Sequence, residues 1–292
     1  MRLAVLADIH GNLPALEAVI TDLDRCGVDD VIVNGDMING APFPLEVLDV
    51  IYERGWRAVL GNHEEYMLSC NDPNCKDYPR DLWQNFYWTH DLLRPQDFTF
   101  LRSLPTTIEL DNMLFMHGAP YRLNYSVLPS TPDEVLEKLY GKVVQRYIVT
   151  AHTHIPLVCG WRDKIILNPG SVGMSFDGNP MPSYAILTGH RDEWLIEHRR
   201  VTYSPGEVRM AAQERGLLEL DVFSLTTIEQ ILTGKPRMRS LIDQIYAHQH
   251  HADLSLADAV AAADIDLVKP DDDYTFATRR PWDERKFKRI GE

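Results

Sequence analysis

Asp8 and His10 follow an apolar run in "VLADIHGN", with one spacer between them and Gly11-Asn12 after them. In an extended segment, side chains at i and i+2 point to the same side, so a carboxylate and an imidazole there converge on one object. Taken alone, the pair also fits ordinary turn chemistry, since loops after strands collect Asp, His and Gly. Four further places repeat the pattern. Asp36 closes "DDVIVNGD", Asn62 and His63 close "WRAVLGNHE", His117 closes "MLFMHG", and His152 with His154 closes "RYIVTAHTH". Turn chemistry would mix in Ser and Thr, whereas these five ends offer Asp, Asn and His. Oxygen and imidazole donors without thiolate suit divalent ions such as Mn, Fe, Co, Ni or Zn. The number of donors suits two ions, because one carboxylate can bridge a pair roughly 3.5–4 Å apart. Two such ions against two carboxylates and one hydroxide leave a site of about +1, which attracts a phosphate and stabilises charge developing on its oxygens.

The elements that must position these residues are legible as a strand–helix alternation. Near-continuous Val/Ile/Leu runs suit strands buried on both faces. Between the first two lies "LPALEAVITDLDRCG", with Leu16, Val19, Ile20 and Leu23 at helical spacing and Gly27 where a helix stops. "PLEVLDVIYERG" supplies a second crossover helix. The alternation implies parallel strands with right-handed crossovers, whose ligands bind beyond the carboxyl ends of the strands. Thr131, Pro132 and Glu134 predict an N-cap, a first-turn proline and a capping-box glutamate for a helix ending near Tyr140. After His154, short antiparallel strands and hairpins are expected, then helical pieces from Ser204 and a mixed-charge tail from Pro270. The stretch 66–105, rich in aromatics and prolines, reads both as a self-packed helical insertion and as a lid over the strand ends.

Composition bounds the function. The 292 residues, 45% hydrophobic and 25% charged, are enough for one large domain with an appendage. A net charge of −14 argues against an extended nucleic-acid surface. A small phosphorylated substrate stays open to it, because a local metal site overrules the global sign. No signal peptide and no membrane span is visible, and the four cysteines show no C-x-x-C, so the expected setting is the cytoplasm. Cys70 and Cys75 bracket "NDPN", readable as a small zinc or disulfide loop or as unpaired thiols, the latter preferred.

Taken in order, D-x-H (Asp8 to His10), G-D (Gly35-Asp36), G-N-H-E (Gly61 to Glu64), His117-Gly118 and A-H-T-H (Ala151 to His154) resemble the calcineurin-like metallophosphoesterase superfamily. "NPGS" (Asn168 to Ser171) is similar to the segment after the H-x-H pair in small bacterial and archaeal phosphodiesterases. Residues from Arg200 to Lys235 look like the C-terminal extension of a diadenosine-tetraphosphatase-related branch. The resemblance implies an α/β fold of two mixed β-sheets packed as a sandwich and flanked by helices, in four layers. It places a catalytic domain at 1–203 with the 66–105 insertion, a helical extension at 204–269 and a tail at 270–292.

Carried over, one ion takes Asp8, His10, Asp36 and His154, and the second takes Asp36, Asn62, His117 and His152, with Asp36 bridging. Manganese is the first expectation among the ions named above. A metal-bridging hydroxide would attack phosphorus in line, with His63 protonating the leaving oxygen and Glu64 as its orienting partner. Asn12, Tyr121 and Tyr125 are expected to touch substrate, and Arg122 and Asn124 share that loop. The substrate class implied is a phosphodiester or nucleotide phosphoanhydride. The alternatives are a phosphomonoesterase or protein phosphatase, and a non-catalytic metal-binding module. Two departures stand out: Ala151 replaces the usual glycine, and Asn39-Gly40 replaces the Asp-Arg that grips phosphate in protein phosphatases. Homo-oligomerisation is left open. His90, His190 and His198 are read as structural or surface residues. "HQHH" (His248 to His251) and the basic residues of the tail are read as solvated.

Overall fold

The computed structural model describes residues 1–70, 80, 83–190, 193–251 and 256–263. Its first half runs β1 (Arg2–Leu6), α1 (Leu13–Cys26), β2 (Asp30–Val33), α2 (Pro44–Arg54), β3 (Arg57–Ala58), α3 (Asn62–Ser69), α4 (Gln84–Leu92) and α5 (Pro95–Ser103). Then come β4 (Thr107–Leu110), β5 (Met113–Met116), α6 (Asp133–Tyr140), β6 (Tyr147–Val149), β7 (Leu157–Trp161), β8 (Lys164–Asn168), β9 (Ser183–His190) and β10 (Glu193–Arg200). Helices α7 (Pro205–Glu214), α8 (Val222–Thr233), α9 (Met238–His251) and α10 (Leu256–Ala261) follow.

Two five-stranded mixed sheets result, ordered β10-β9-β1-β2-β3 and β4-β5-β6-β8-β7. β1, β2 and β3 are parallel, as are β5, β6 and β8, and antiparallel neighbours complete each sheet. Strand alternation assigns each side chain to a layer. Leu3 and Val5 of β1 meet Phe115, Val149 and Leu167 between the sheets. Ala4 and Leu6 of the same strand meet Leu16, Val19, Val47 and Leu48 of α1 and α2. The outer face of the second sheet is covered by Leu136, Leu139 and Tyr140 of α6. This is the four-layer α/β sandwich expected, and the unbroken apolar runs mark strands covered on both faces.

Both crossover helices end at glycines in the left-handed conformation, Gly27 (φ 60°) and Gly55 (φ 62°). Two local expectations need correction. Asn62, His63 and Glu64 do not finish a strand: β3 is two residues long, and these side chains form the first turn of α3. Glu64, three residues after the extended Gly61, accepts its backbone N–H at 3.0 Å and starts the helix there. Thr131 does not cap α6, because Pro132 holds the N-cap position, while Thr131 Oγ1 accepts from Leu128 N. Cys75 and the stretch 270–292 lie outside the described residues, and so do the side chains of His248 and His250. No helix among the described residues is long and apolar enough to cross a membrane.

Candidate metal centre

The loops after β1 and β2 are joined backbone to backbone beyond the strands. Asp8 N donates to Gly35 O, His10 N to Asp36 O and Gly11 N to Met37 O, while Ala41 N returns to His10 O. This pairing turns the chain sharply, and Asp8, His10, Asp36, Asn39, His152 and His154 all take φ between 51° and 66°. Six of the eight non-glycine residues at positive φ among the described residues therefore belong to this one cluster. Asp, Asn and His tolerate that region better than most residues, and strain of this kind gathers where structure over-determines a site.

The cradle also depends on missing side chains. A Cβ on Gly61 would stand 2.2 Å from Asp36 Oδ1, and one on Gly35 would stand 2.6 Å from His117 Nδ1. Asn34, which the sequence reading passed over, binds the two sheets together. Its Nδ2 donates to Met116 O at 3.0 Å, and its carbonyl accepts from His117 Nδ1 at 2.8 Å. In the NPGS segment, Ser171 Oγ donates to Asp8 O and Asn168 Nδ2 donates to Ala151 O, tying the first and last ligand loops to β8.

The side chains so placed form two overlapping groups, Asp8–His10–Asp36–His154 and Asp36–His117–His152, each with candidate ligand atoms within 4.8 Å of one another. Asn62 Oδ1 stands 2.9 Å from His117 Nε2, adding an oxygen to the second group. Asp36 Oδ2 lies 3.2 Å from His117 Nε2 and 3.8 Å from His10 Nε2, between the groups.

Three observations fit this donor set to divalent cations. Both carboxylate oxygens of Asp8 and Oδ2 of Asp36 are buried without a hydrogen-bond donor, a costly state for a carboxylate unless a cation satisfies it. Nδ1 of His10 stands 2.8 Å from Asn39 O, and Nδ1 of His154 meets Met174 O. A carbonyl oxygen only accepts, so each ring carries its proton on Nδ1. Their two Nε2 lone pairs then face each other at 3.2 Å. That contact is repulsive by itself and favourable around a positive ion. This is also the outer-shell arrangement that sets the ligating nitrogen of a metal-bound histidine.

Electrostatics agree. Burial first, then neighbouring histidines, push His10 and His152 down to about 3 and His154 well below its usual range, so these rings are neutral and able to coordinate. Burial would also lower His117, but Asp36 and Asp8 beside it raise it to about 10. The same two carboxylates that favour a positive charge at His117 would favour a cation there, and with Nδ1–H on Asn34 O the Nε2 atom is the one that would exchange its proton for the ion.

His63 differs from the enclosed members of the cluster, since its side chain keeps 23% exposure while those of Asp8, His10 and His117 keep none. Its backbone N–H donates to Asp36 Oδ1 at 2.8 Å and its Nε2 stands 3.9 Å from Asp36 Oδ2. Glu64 is not its partner. The Glu64 carboxylate is spent on the backbone N–H groups of Asp36, Met37, Ile38 and Gly61. The group at His63 is Asn39, whose Nδ2 lies 2.9 Å from Nδ1. Asn39 was noticed in the sequence as a missing phosphate grip, and its contact with His63 could not be read there.

A pocket of about 340 Å³ opens beside the cluster. It reaches Asp36, His63, His152 and His154, and its far walls come from Tyr66, Trp83, Phe86, Phe176 and Phe223. The expected substrate contacts are elsewhere. Asn12 is fully buried, accepts from Ala15 N as the cap of α1 and donates its two amide hydrogens to Gly173 O and the Tyr203 hydroxyl, which leaves no N–H for a ligand. Tyr121 is half exposed and Tyr125 packs against the α6 cluster; neither lines the pocket, and Ser126 represents their loop there.

The family model for the calcineurin-like phosphoesterase superfamily domain matches residues 1–192. An uncharacterized protein of Methanocaldococcus jannaschii is 29% identical over 223 residues, 69% of this chain and 87% of that one. Phosphodiesterase YfcE of Escherichia coli is 26% identical over 192 residues, 64% of this chain and 87% of the enzyme. A metallophosphoesterase structure from Sphaerobacter thermophilus aligns with a TM-score of 0.67 at 25% identity, covering 80% of this chain and 99% of that one.

Proposed function

The chain belongs to the calcineurin-like phosphoesterase superfamily and is a phosphoric ester hydrolase; from that premise we propose that it cleaves phosphodiesters or nucleotide phosphoanhydrides at a pair of divalent ions. Asp8, His10, Asp36 and His154 would hold one ion, and Asp36, Asn62, His117 and His152 the other. The observation that carries the reading is the 3.2 Å approach of the His10 and His154 Nε2 lone pairs beside carboxylate oxygens that lack donors. Manganese is our first choice of ion and the cytoplasm our choice of setting. We take 1–203 as the catalytic unit with 66–105 inserted, 204–269 as an extension that completes the pocket, and 270–292 as a tail.

Two divalent ions, when bound, supply a water of lowered pKa and draw charge from the phosphoryl oxygens. The chain's own residues do the rest. Asp36 fixes the first turn of α3 through the His63 N–H, so the exposed imidazole faces the pocket. The Asn39 amide faces His63 Nδ1 at 2.9 Å, and with its oxygen turned to that atom it would accept Nδ1–H of the imidazolium. The imidazolium would give its Nε2 proton to the leaving oxygen and be left as neutral imidazole with its proton on Nδ1, a step worth on the order of 10²–10⁴ in rate. A dianionic monoester would call for an additional cation, and no Arg or Lys lines the pocket among the described residues. That favours the diester reading over the phosphatase one.

The test is hydrolysis of bis(p-nitrophenyl) phosphate beside p-nitrophenyl phosphate, after metal stripping and Mn²⁺ add-back, with His63→Ala as control. Diester turnover that needs both metal and His63 is expected. Preference for the monoester, or turnover indifferent to metal, would refute the reading.

A further inference from the structure

The pocket is walled by parts of the chain that the ligand motifs do not include. An aromatic series leads away from His63. Tyr66 lies 5.4 Å from the His63 ring, Phe86 stacks on Tyr66 at 5.8 Å, Trp83 follows at 5.0 Å, and Phe223 of α8 stacks on Trp83 at 5.0 Å. Phe176 stacks on His154 at 4.3 Å and gives a second flat surface at the cluster. Aromatic walls of this kind hold flat rings by stacking and carry no formal charge.

Two carboxamides set the polarity. Gln230 is 2% exposed, and its Oε1 accepts from the backbone N–H groups of Arg237 and Met238. Among the described residues, Gln230 Nε2 meets the Met174 thioether at 3.7 Å, a weak acceptor. Asn85 Oδ1 accepts from Phe86 N, which turns the Nδ2 end of that amide to the remaining space. Both residues line the pocket, where they offer N–H donors and no charge. The volume, about 340 Å³, is at the lower end of small-molecule sites and suits one ring system.

We infer that this pocket is a specificity site for a single uncharged heteroaromatic ring with acceptor atoms on its rim, the chemistry of a nucleobase, carried by the alcohol that leaves phosphorus. The assignment to the leaving side follows from His63, which lines the pocket, and it rests on the proposed function for the word "leaving". Stacking on the aromatic walls holds the ring, and Gln230 and Asn85 select carbonyl or ring-nitrogen acceptors over a plain hydrocarbon ring. A polyphosphate chain extending into the same space would meet no cation among the described residues, so nucleoside diesters are favoured over dinucleoside polyphosphates.

The test needs no turnover. The Mn²⁺-loaded full chain is titrated with thymidine, adenosine, phenol and ribose, following tryptophan fluorescence, with Trp83→Phe as reporter control. Saturable quenching by the nucleosides is expected, about tenfold tighter than by phenol, and none by ribose. Gln230→Glu keeps the acceptor for the two backbone N–H groups and removes the donor; Asn85→Asp does the same for Phe86 N. Each should weaken nucleoside binding about tenfold and leave phenol binding within twofold. Equal binding of phenol and thymidine, no quenching by any ring, or higher kcat/KM for diadenosine tetraphosphate than for a nucleoside diester would overturn the inference. The two failures separate: nucleoside binding without ester hydrolysis would sink the proposed function and keep the pocket. Diester hydrolysis without nucleoside binding would do the reverse.

Discussion

Beyond the strands, six carboxylate and imidazole side chains on loops and Asn62 on the first turn of α3 crowd together, and several hold left-handed φ because neighbouring loops are hydrogen-bonded to one another. The pocket that opens on it is walled mostly by side chains from α3, α4, α8 and α9, with Trp83 just ahead of α4 and Phe176 on the loop before β9. The cluster is polar, enclosed and strained, with carboxylate oxygens left without donors. The wall is aromatic and amide-bearing. Strained polar loops fix where a reaction happens, and replaceable side chains on helices decide what fits beside it. One fold can thus keep its chemistry while its selectivity changes.

Substitutions in the two regions should therefore separate. Asp36→Ala removes the carboxylate shared by both groups. It should lower kcat/KM for a phosphodiester about 10³-fold or more, with metal content by elemental analysis falling as well. His63→Ala should lower kcat about 10²–10⁴-fold while both ions stay bound, since His63 is not among the ligands. If the ions are lost too, His63 belongs to the cluster and the division made here is wrong. Asn39→Ala should cost about 10–100-fold in activity, the scale of a residue that orients a reacting group. Its mark is a change in the pH profile of kcat, whereas Glu64→Gln should reduce metal affinity through the loop it holds.

The smallest effect expected lies in the helices behind the pocket. Asp97 at the start of α5 is buried, which would raise its carboxyl. Arg94, through its guanidinium at 2.8 Å and its backbone N–H, together with Tyr52, holds it below the usual carboxylate range instead. A depressed folded-state pKa stabilises above the unfolded value of about 3.9 and is lost as pH falls through the folded one. Asp97→Asn should therefore lower Tm by about 2–5 °C at pH 7. Once the pH falls below the depressed folded-state value, the variant and the parent should converge. A Tm difference that persists in acid would mean packing, not charge, carries the effect.

How much of this was legible depended on chemistry that narrows residue choice. The sandwich was readable because β1, β2 and β6 are covered on both faces and so are nearly all apolar, and because Gly27 and Gly55 stop their helices. The gathering of Asp, Asn and His into one cluster was readable because metal chemistry admits few side chains, so their recurrence after apolar runs stands out. Glu64 was assigned the wrong partner because sequence adjacency to His63 suggested contact, whereas on α3 the first-turn carboxylate folds back onto backbone N–H groups. Asn39 and Asn34 were missed as working residues since an asparagine in a loop has too many ordinary uses. The pocket wall was illegible for a similar reason. Phe86, Trp83 and Phe223 have the signature of any core, and only the approach of α8 to α4 turns them toward the cluster.

The most direct measurement is a crystal structure of the Mn²⁺-loaded chain with anomalous data at the manganese edge. Two peaks are expected, one among Asp8, His10, Asp36 and His154 and one among Asp36, Asn62, His117 and His152, with the Asp36 carboxylate reaching both. A single peak, or two that do not share Asp36, would contradict the two-ion assignment.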